Sequence, residues 1–122
     1  MNLAELFPEG GRGVIGTADA QGQVDLAVFA IPHIVDEETL AWGVGEGRTY
    51  HNLKENAKAS YLYIAPTRGY NGWRLTLSLK EMGEGALLEE IRARAAKNSW
   101  VQDVSEIKHV LYFKVDEVRP LV

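Results

Sequence analysis

The stretch TLAWGVGEGRTYHNLKENAKASYLYI, residues 39–64, decides the fold. It opens on an apolar run, 39–44, that reads as a strand. It closes on a second strand, KASYLYIA (58–65), stopped by Pro66. Between them stand the alternating glycines Gly43, Gly45 and Gly47, and then residues from Thr49 to about Ala57 that suit a short helix. A parallel crossover usually takes roughly a dozen residues or more, and this helix is short for one. The flanking strands are therefore expected in an antiparallel sheet, with the helix plugging the end of a barrel.

The rest of the chain agrees. WRLTLSLKEM (73–82) sets Trp73, Leu75, Leu77 and Leu79 against Arg74, Thr76, Ser78 and Lys80. Period two of this kind describes a strand with one face buried and one wet. RGVIGTAD (12–19) and VDLAVFAIP (24–32) read as a hairpin around the turn AQGQ, with Pro32 ending the second strand. IKHVLYFKVDEV (107–118) is the last strand. GEGALLEEIRARAAKN (83–98) has helical spacing, with Leu87, Leu88, Ile91 and Ala95 on one side. Glu89, Glu90, Arg92 and Arg94 are left to face solvent. LAELF (3–7) suits one or two helical turns before Pro8. The expectation is a mainly β domain with two or three short helices, built on six antiparallel strands curled into a barrel.

Composition sets the bounds. The 122 residues fit a single domain, 1–122. A charged fraction of 25% beside 46% apolar residues describes a globular chain rather than a disordered one. Its modest core makes dimerisation a plausible way to bury more surface. The net charge of −4, with basic residues scattered among acids, argues against a nucleic-acid footprint. Cysteine is absent, which excludes disulfides, thiolate-bound zinc and thiol catalysis. No apolar run reaches membrane-spanning length, and MNLAELFPEGGRG lacks the basic start of a signal peptide. A cytoplasmic location, with no membrane partner, is expected.

Glycines ahead of a basic residue and a hydroxyl suggest phosphate. A Walker loop needs G-x-x-x-x-G-K-[ST]. Gly43 to Gly47 is one residue short of it, and Arg48 stands where the lysine belongs. A dinucleotide fingerprint needs a third glycine one place later and a parallel crossover. The bland alternative is a tight bend with no ligand. The physical case for an anion still stands: a helix N-terminus offers unpaired N–H groups and partial positive charge. Arg48 adds a guanidinium that grips two oxygens. Thr49 can cap the helix or donate its hydroxyl. Gly43 and Gly45 remove side chains where a flat ligand would approach the backbone.

The same 39–64 stretch resembles the signature segment of the pyridoxamine 5'-phosphate oxidase-like, FMN-binding split-barrel family. Arg48, Thr49, Asn52, Leu53 and Asn56 stand where that pattern expects them, and Ala57 replaces a frequent proline. The hairpin, the long alternating strand, the late helix and the final YFKVDEVRPL follow in family order. The resemblance is closest to the small FMN-binding members. It implies a homodimer with FMN at the interface. Arg48 and Thr49 would hold the phosphate, and Asn52 would support it. The backbone of Ala27, Val28 and Phe29 would line the ring, and that of Trp42, Gly43 and Val44 the ring or ribityl chain. The implied task is electron transfer, or reduction of a small acceptor, with a nicotinamide donor or a redox partner. The strand 24–32 carries only Asp25 where larger members carry a cation, and no basic cluster suits pyridoxamine phosphate. The named oxidase activity is therefore not expected. A deazaflavin binder, or a ligand-binding dimer without redox activity of its own, is the alternative.

Of the remaining aromatics, Trp73 suits the core or a dimer interface. Trp100 and Tyr70, both in loops, are candidates to stack on the flavin, Trp100 from the other subunit. His33, His51 and His109 form no metal spacing. His51 is read as facing solvent, and His109 as structural.

Overall fold

The computed structural model describes residues 2–97 and 103–122. Its strands are β1 (Arg12–Ala18), β2 (Val24–Phe29), β3 (His33–Ile34), β4 (Thr39–Val44), β5 (Lys58–Ile64), β6 (Gly72–Gly83) and β7 (His109–Pro120). Two helices, α1 (Arg48–Glu55) and α2 (Ala86–Ala95), and two 3-10 turns, Leu3–Glu5 and Val104–Glu106, are added to them. All strands belong to one sheet in the order β2-β1-β5-β6-β7-β4-β3. Every pairing is antiparallel.

The sheet thus has seven strands, not the six expected. The extra one is β3, two residues that pair with β4 through His33 opposite Ala41. Two residues carry no periodicity, so the stretch reads as connection. The strand expected over 24–32 ends at Phe29. Beyond it the Ala30 carbonyl leaves the ladder and accepts two side-chain bonds, from Trp42 Nε1 at 2.8 Å and Tyr61 Oη at 2.9 Å.

Those two bonds close the barrel. β2 and β4 stand near opposite ends of the strand order and share no ladder. Yet the Trp42 ring lies 5.6 Å from Phe29 of β2, 4.8 Å from Tyr61 of β5 and 5.6 Å from Phe113 of β7. The sheet must curl for this to happen. Irregularities in the β6–β7 ladder between Thr76 and Leu77, and between Leu79 and Glu81, add the local bend. The interior is filled by Ile15, Leu40, Tyr61, Leu75, Leu77 and Phe113, each at most 1% exposed. Side chains of this size contribute about 1.5–3 kcal/mol each when fully buried. Phe7, from the N-terminal turn, packs edge-on against Tyr63 at 5.3 Å. The Tyr63 hydroxyl donates to the Pro8 carbonyl.

β4 is buried on both faces, which explains its alternation of large and small residues. Leu40, Trp42 and Val44 enter the main core. Ala41 packs on the other side with Leu88 and Val110, under α2. A Cβ on Gly43 would sit 2.6 Å from Cγ2 of both Ile91 and Ile107, and one on Gly45 2.8 Å from the Glu106 carbonyl oxygen. These glycines therefore make room for α2 and the segment before β7. The sequence reading had kept that space for a ligand. α1 carries the chain from β4 to β5 and packs on β1 and β2, with Leu53 buried.

Gly43→Ala is expected to destabilise the protein by about 1–3 kcal/mol, because overpacking forces α2 off the sheet. Urea unfolding measures it, and a change under ~0.5 kcal/mol would contradict the packing role. Burial, with Tyr63 nearby, raises the Tyr61 phenol well above its ordinary pKa of 10.0. The stability it contributes is full below pH 10.0 and declines as pH rises further, where only the unfolded chain ionises. Tyr61→Phe should cost about 1 kcal/mol at neutral pH and flatten that alkaline decline. An unchanged decline in the variant would assign it to another group.

Candidate functional site

The chain leaves β4 at Val44, turns through Gly45 and Glu46, and enters α1 at Arg48. The helix-capping position is Gly47, which has no side chain to cap with. The sequence reading began this helix at Thr49 and let Thr49 cap it. In the structure Thr49 lies inside the first turn, 8% exposed, and makes no capping bond. The helix ends at Glu55 rather than Ala57, because Asn56 turns to extended backbone. The His51 N–H bonds the Gly47 carbonyl at 3.1 Å. The N–H groups of Arg48, Thr49 and Tyr50 precede it and have no acceptor within the helix. The Arg48 guanidinium is exposed and makes no ion pair or hydrogen bond among the described residues.

A cleft of about 660 Å³ opens beside this corner, within the usual size range of small-ligand sites. It runs between β2 and β4 to the C-terminal half of α2. Along β2 the side chains alternate. Asp25, Ala27 and Phe29 are half-buried, whereas Val24, Leu26 and Val28 are 68%, 73% and 78% exposed.

The structure brings Ala27, Val28, Phe29, Trp42, Gly43 and Val44 to the walls of this cleft, together with Arg48 and Thr49. Asn52 is not among them. It is 6% exposed, and its Nδ2 donates to Thr17 Oγ1 at 3.1 Å, tying α1 to β1. Trp100 lies outside the described residues. Tyr70 is 80% exposed and borders, with Trp73, a second and shallower hollow near the C-terminus. One chain alone does not bring Tyr70 to the first cleft. Trp73 packs against the core, as its place in β6 suggested.

Several residues on or near the cleft had no site role in the sequence reading. Tyr50, one residue past Thr49, stacks flat on His109 at 4.3 Å and 5°. His109 sits between Glu46 and Glu84, each carboxylate 3.8 Å from one ring nitrogen. His33 Nδ1 lies 2.7 Å from an Arg94 Nη. A guanidinium only donates, so Nδ1 accepts and the imidazole is neutral with its proton on Nε2. Glu90 stands 3.6 Å from that nitrogen. Burial first, then Arg94, lower the His33 pKa below 6.5, while Glu90 opposes them. Arg94 was expected in solvent and is exposed, with its guanidinium reaching His33. Arg92 was expected there too, but is half-buried and donates to the Ile107 carbonyl at 2.8 Å and to Glu89 at 2.9 Å. These partners are 15 and 61 positions away in the chain for Ile107 and His33, so no local pattern announces them. Asp25, Asp103 and Glu106 also border the cleft.

Among the described residues no three His, Cys, Asp or Glu side chains converge as metal ligands. Nor is any described helix long and apolar enough to cross a membrane.

No protein-family model matches the sequence, and no curated protein matches it. Solved structures do. An FMN-binding protein from Syntrophomonas wolfei superposes with a TM-score of 0.78 at 19% identity, covering 98% of this chain and 81% of that one. An F420 reductase superposes with a TM-score of 0.73 at 15% identity, covering 94% of each. The heme storage protein HutZ from Vibrio cholerae superposes at 0.57 with 19% identity, covering 98% of this chain and 95% of that one. Ligands differ among these proteins while the curled sheet persists, and the chain accordingly has the split-barrel fold of the pyridoxamine 5'-phosphate oxidase-like proteins.

Proposed function

We propose that the cleft binds FMN and that the protein is a flavoprotein acting as a homodimer. The observation that carries this reading is the Arg48 guanidinium, unpaired among the described residues, beside a helix N-terminus without a side-chain cap, at one end of a largely apolar cleft. That corner suits a single phosphate. Three helix N–H groups and the partial positive charge of the helix favour an anion there. Arg48 adds a charge-assisted grip, and the buried Thr49 hydroxyl is a further donor. The apolar residues of β2 and the backbone of β4 suit a flat ring. The likeness to an FMN-binding protein in fold supports the same ligand.

Bound flavin supplies the redox chemistry. The chain's part is to hold the phosphate, exclude water from one ring face with Ala27 and Phe29, and leave the other side open to a small acceptor. A nicotinamide or a redox protein would deliver the electrons. A deazaflavin is the alternative, and the F420 reductase shares the fold. That ligand calls for a longer basic groove, whereas Asp25, Asp103 and Glu106 border this cleft.

The homodimer reading is supported by β2. It is an edge strand of the sheet, and Val24, Leu26 and Val28 point off one face of it, uncovered. An exposed apolar edge strand is a site of self-association unless something covers it. The opposite face of the same strand borders the cleft, so a second copy seated there would adjoin the flavin.

Arg48→Ala is expected to weaken FMN about 10- to 150-fold, the equivalent of one lost charge-assisted bond, and to leave riboflavin affinity unchanged. Fluorescence titration with both ligands measures this. An equal loss for both would remove Arg48 from the phosphate. Leu26→Asp should convert the dimer to a folded monomer in sedimentation analysis. An unchanged dimer mass would place the interface elsewhere.

A further inference from the structure

We infer that Asp25 is a specificity residue for the middle of the ligand, its carboxylate accepting hydrogen bonds from the ribityl hydroxyls that join the flavin ring to the phosphate. The inference rests on the FMN reading above.

Asp25 is an unusual residue for its place. Aspartate is depleted from strands, yet it stands inside β2, whose other residues are Val24, Leu26, Ala27, Val28 and Phe29. It lines the cleft with Ala27 and Phe29 and is half-buried. It makes no hydrogen bond or ion pair among the described residues. The two other carboxylates on the cleft wall differ from it. Asp103 and Glu106 are both exposed, and Asp103 already accepts from the Ser105 N–H at 2.9 Å and from its hydroxyl at 2.6 Å. A half-buried carboxylate without a partner has lost part of its hydration and gained no bond in return. A ligand that donates hydrogen bonds would supply what is missing.

The place of Asp25 along the cleft names the donor. It pairs across the ladder with Thr17, so the two side chains share one face of the sheet. Thr17 Oγ1 accepts from Asn52 of α1, which sets Asp25 at the α1 end of β2. Four residues on, the Phe29 ring lies 5.6 Å from Trp42 of β4. Asp25 and Phe29 are thus about 13 Å apart, at ~3.3 Å per residue. The apolar end at Ala27 and Phe29 suits the flavin ring, and the corner at Arg48 suits the phosphate. The ribityl chain joins the two and carries neutral hydroxyls. An ionised carboxylate only accepts, and hydrogen bonds to it are stronger than those between neutral groups. The cleft would thereby read each part of the ligand with a different group.

The test is a fluorescence titration of wild type, Asp25→Asn and Asp25→Ala with FMN, riboflavin and lumiflavin, the last having the ring but neither ribityl chain nor phosphate. Asp25→Ala should weaken FMN and riboflavin alike, by about tenfold, and leave lumiflavin nearly unchanged. Retained lumiflavin binding also reports that the variant is folded. Asp25→Asn keeps one oxygen acceptor without the charge, and it should lose less riboflavin affinity than Asp25→Ala. A loss of lumiflavin as large as that of riboflavin would give Asp25 a role at the ring or in the fold, and would overturn the inference. So would unchanged riboflavin affinity in Asp25→Ala, or equal losses in the two variants. Tighter FMN beside unchanged riboflavin would also overturn it, because Asp25 would then be only a charge facing the phosphate. Failure of the wild-type protein to bind FMN at all would instead overturn the cofactor reading, and this inference with it.

Discussion

The structure depends on how Trp42 closes a sheet whose edges share no ladder. Its indole meets rings from β2, β5 and β7, and its N–H shares the Ala30 carbonyl with the Tyr61 hydroxyl. A carbonyl has two lone pairs, and both are used. Burying the indole N–H or the phenol without an acceptor would cost about 1–3 kcal/mol each. The Ala30 carbonyl removes both penalties at one point. That point lies just beyond the last residue of β2, so the end of the strand and the closure of the barrel are a single event.

The candidate site inherits its shape from this closure. The cleft is the gap left where β2 and β4 approach without pairing. Its back wall is α2, which can come close because Gly43 lacks a side chain, while Gly45 admits the turn at Glu106. Gly47 differs from both: a Cβ there would meet nothing within 4 Å. Three glycines that look like one motif therefore do two jobs. Two admit the neighbouring helix and turn, and the third starts α1 without a side chain over the helix end.

Much of this was legible in the chain. Thr39–Val44 appears as a strand with the bounds expected of it, because a short apolar run between polar turns has few other uses. β6 shows the alternation of Leu75 and Leu77 with polar residues, as its period required. The strand β3 and the early end of β2 were not legible, since His33–Ile34 owes its pairing to β4 and not to its own composition. The site divides in the same way. Arg48 and Thr49 stand at the start of α1 on the cleft wall, a place that adjacent residues and a helix start announce locally. Asn52 was assigned toward the phosphate, but its partner Thr17 is 35 positions away. Arg94 is exposed as its spacing suggested, but the bond from Arg92 to the Ile107 carbonyl was not legible, because spacing shows which residues share a face and not what lies opposite.

What the sequence by itself determined is therefore local: the antiparallel strands, the short corner helix and its basic start. Hydrophobic period and turn chemistry act over a few residues and are written in order along the chain. The tertiary structure alone decided that β2 and β4 meet at the Ala30 carbonyl and that Gly43 lies beneath Ile91. It alone placed His33 against Arg94 at the far end of the cleft. Such contacts join residues tens of positions apart, and they form only where the curl of the sheet brings their surfaces within a few ångströms.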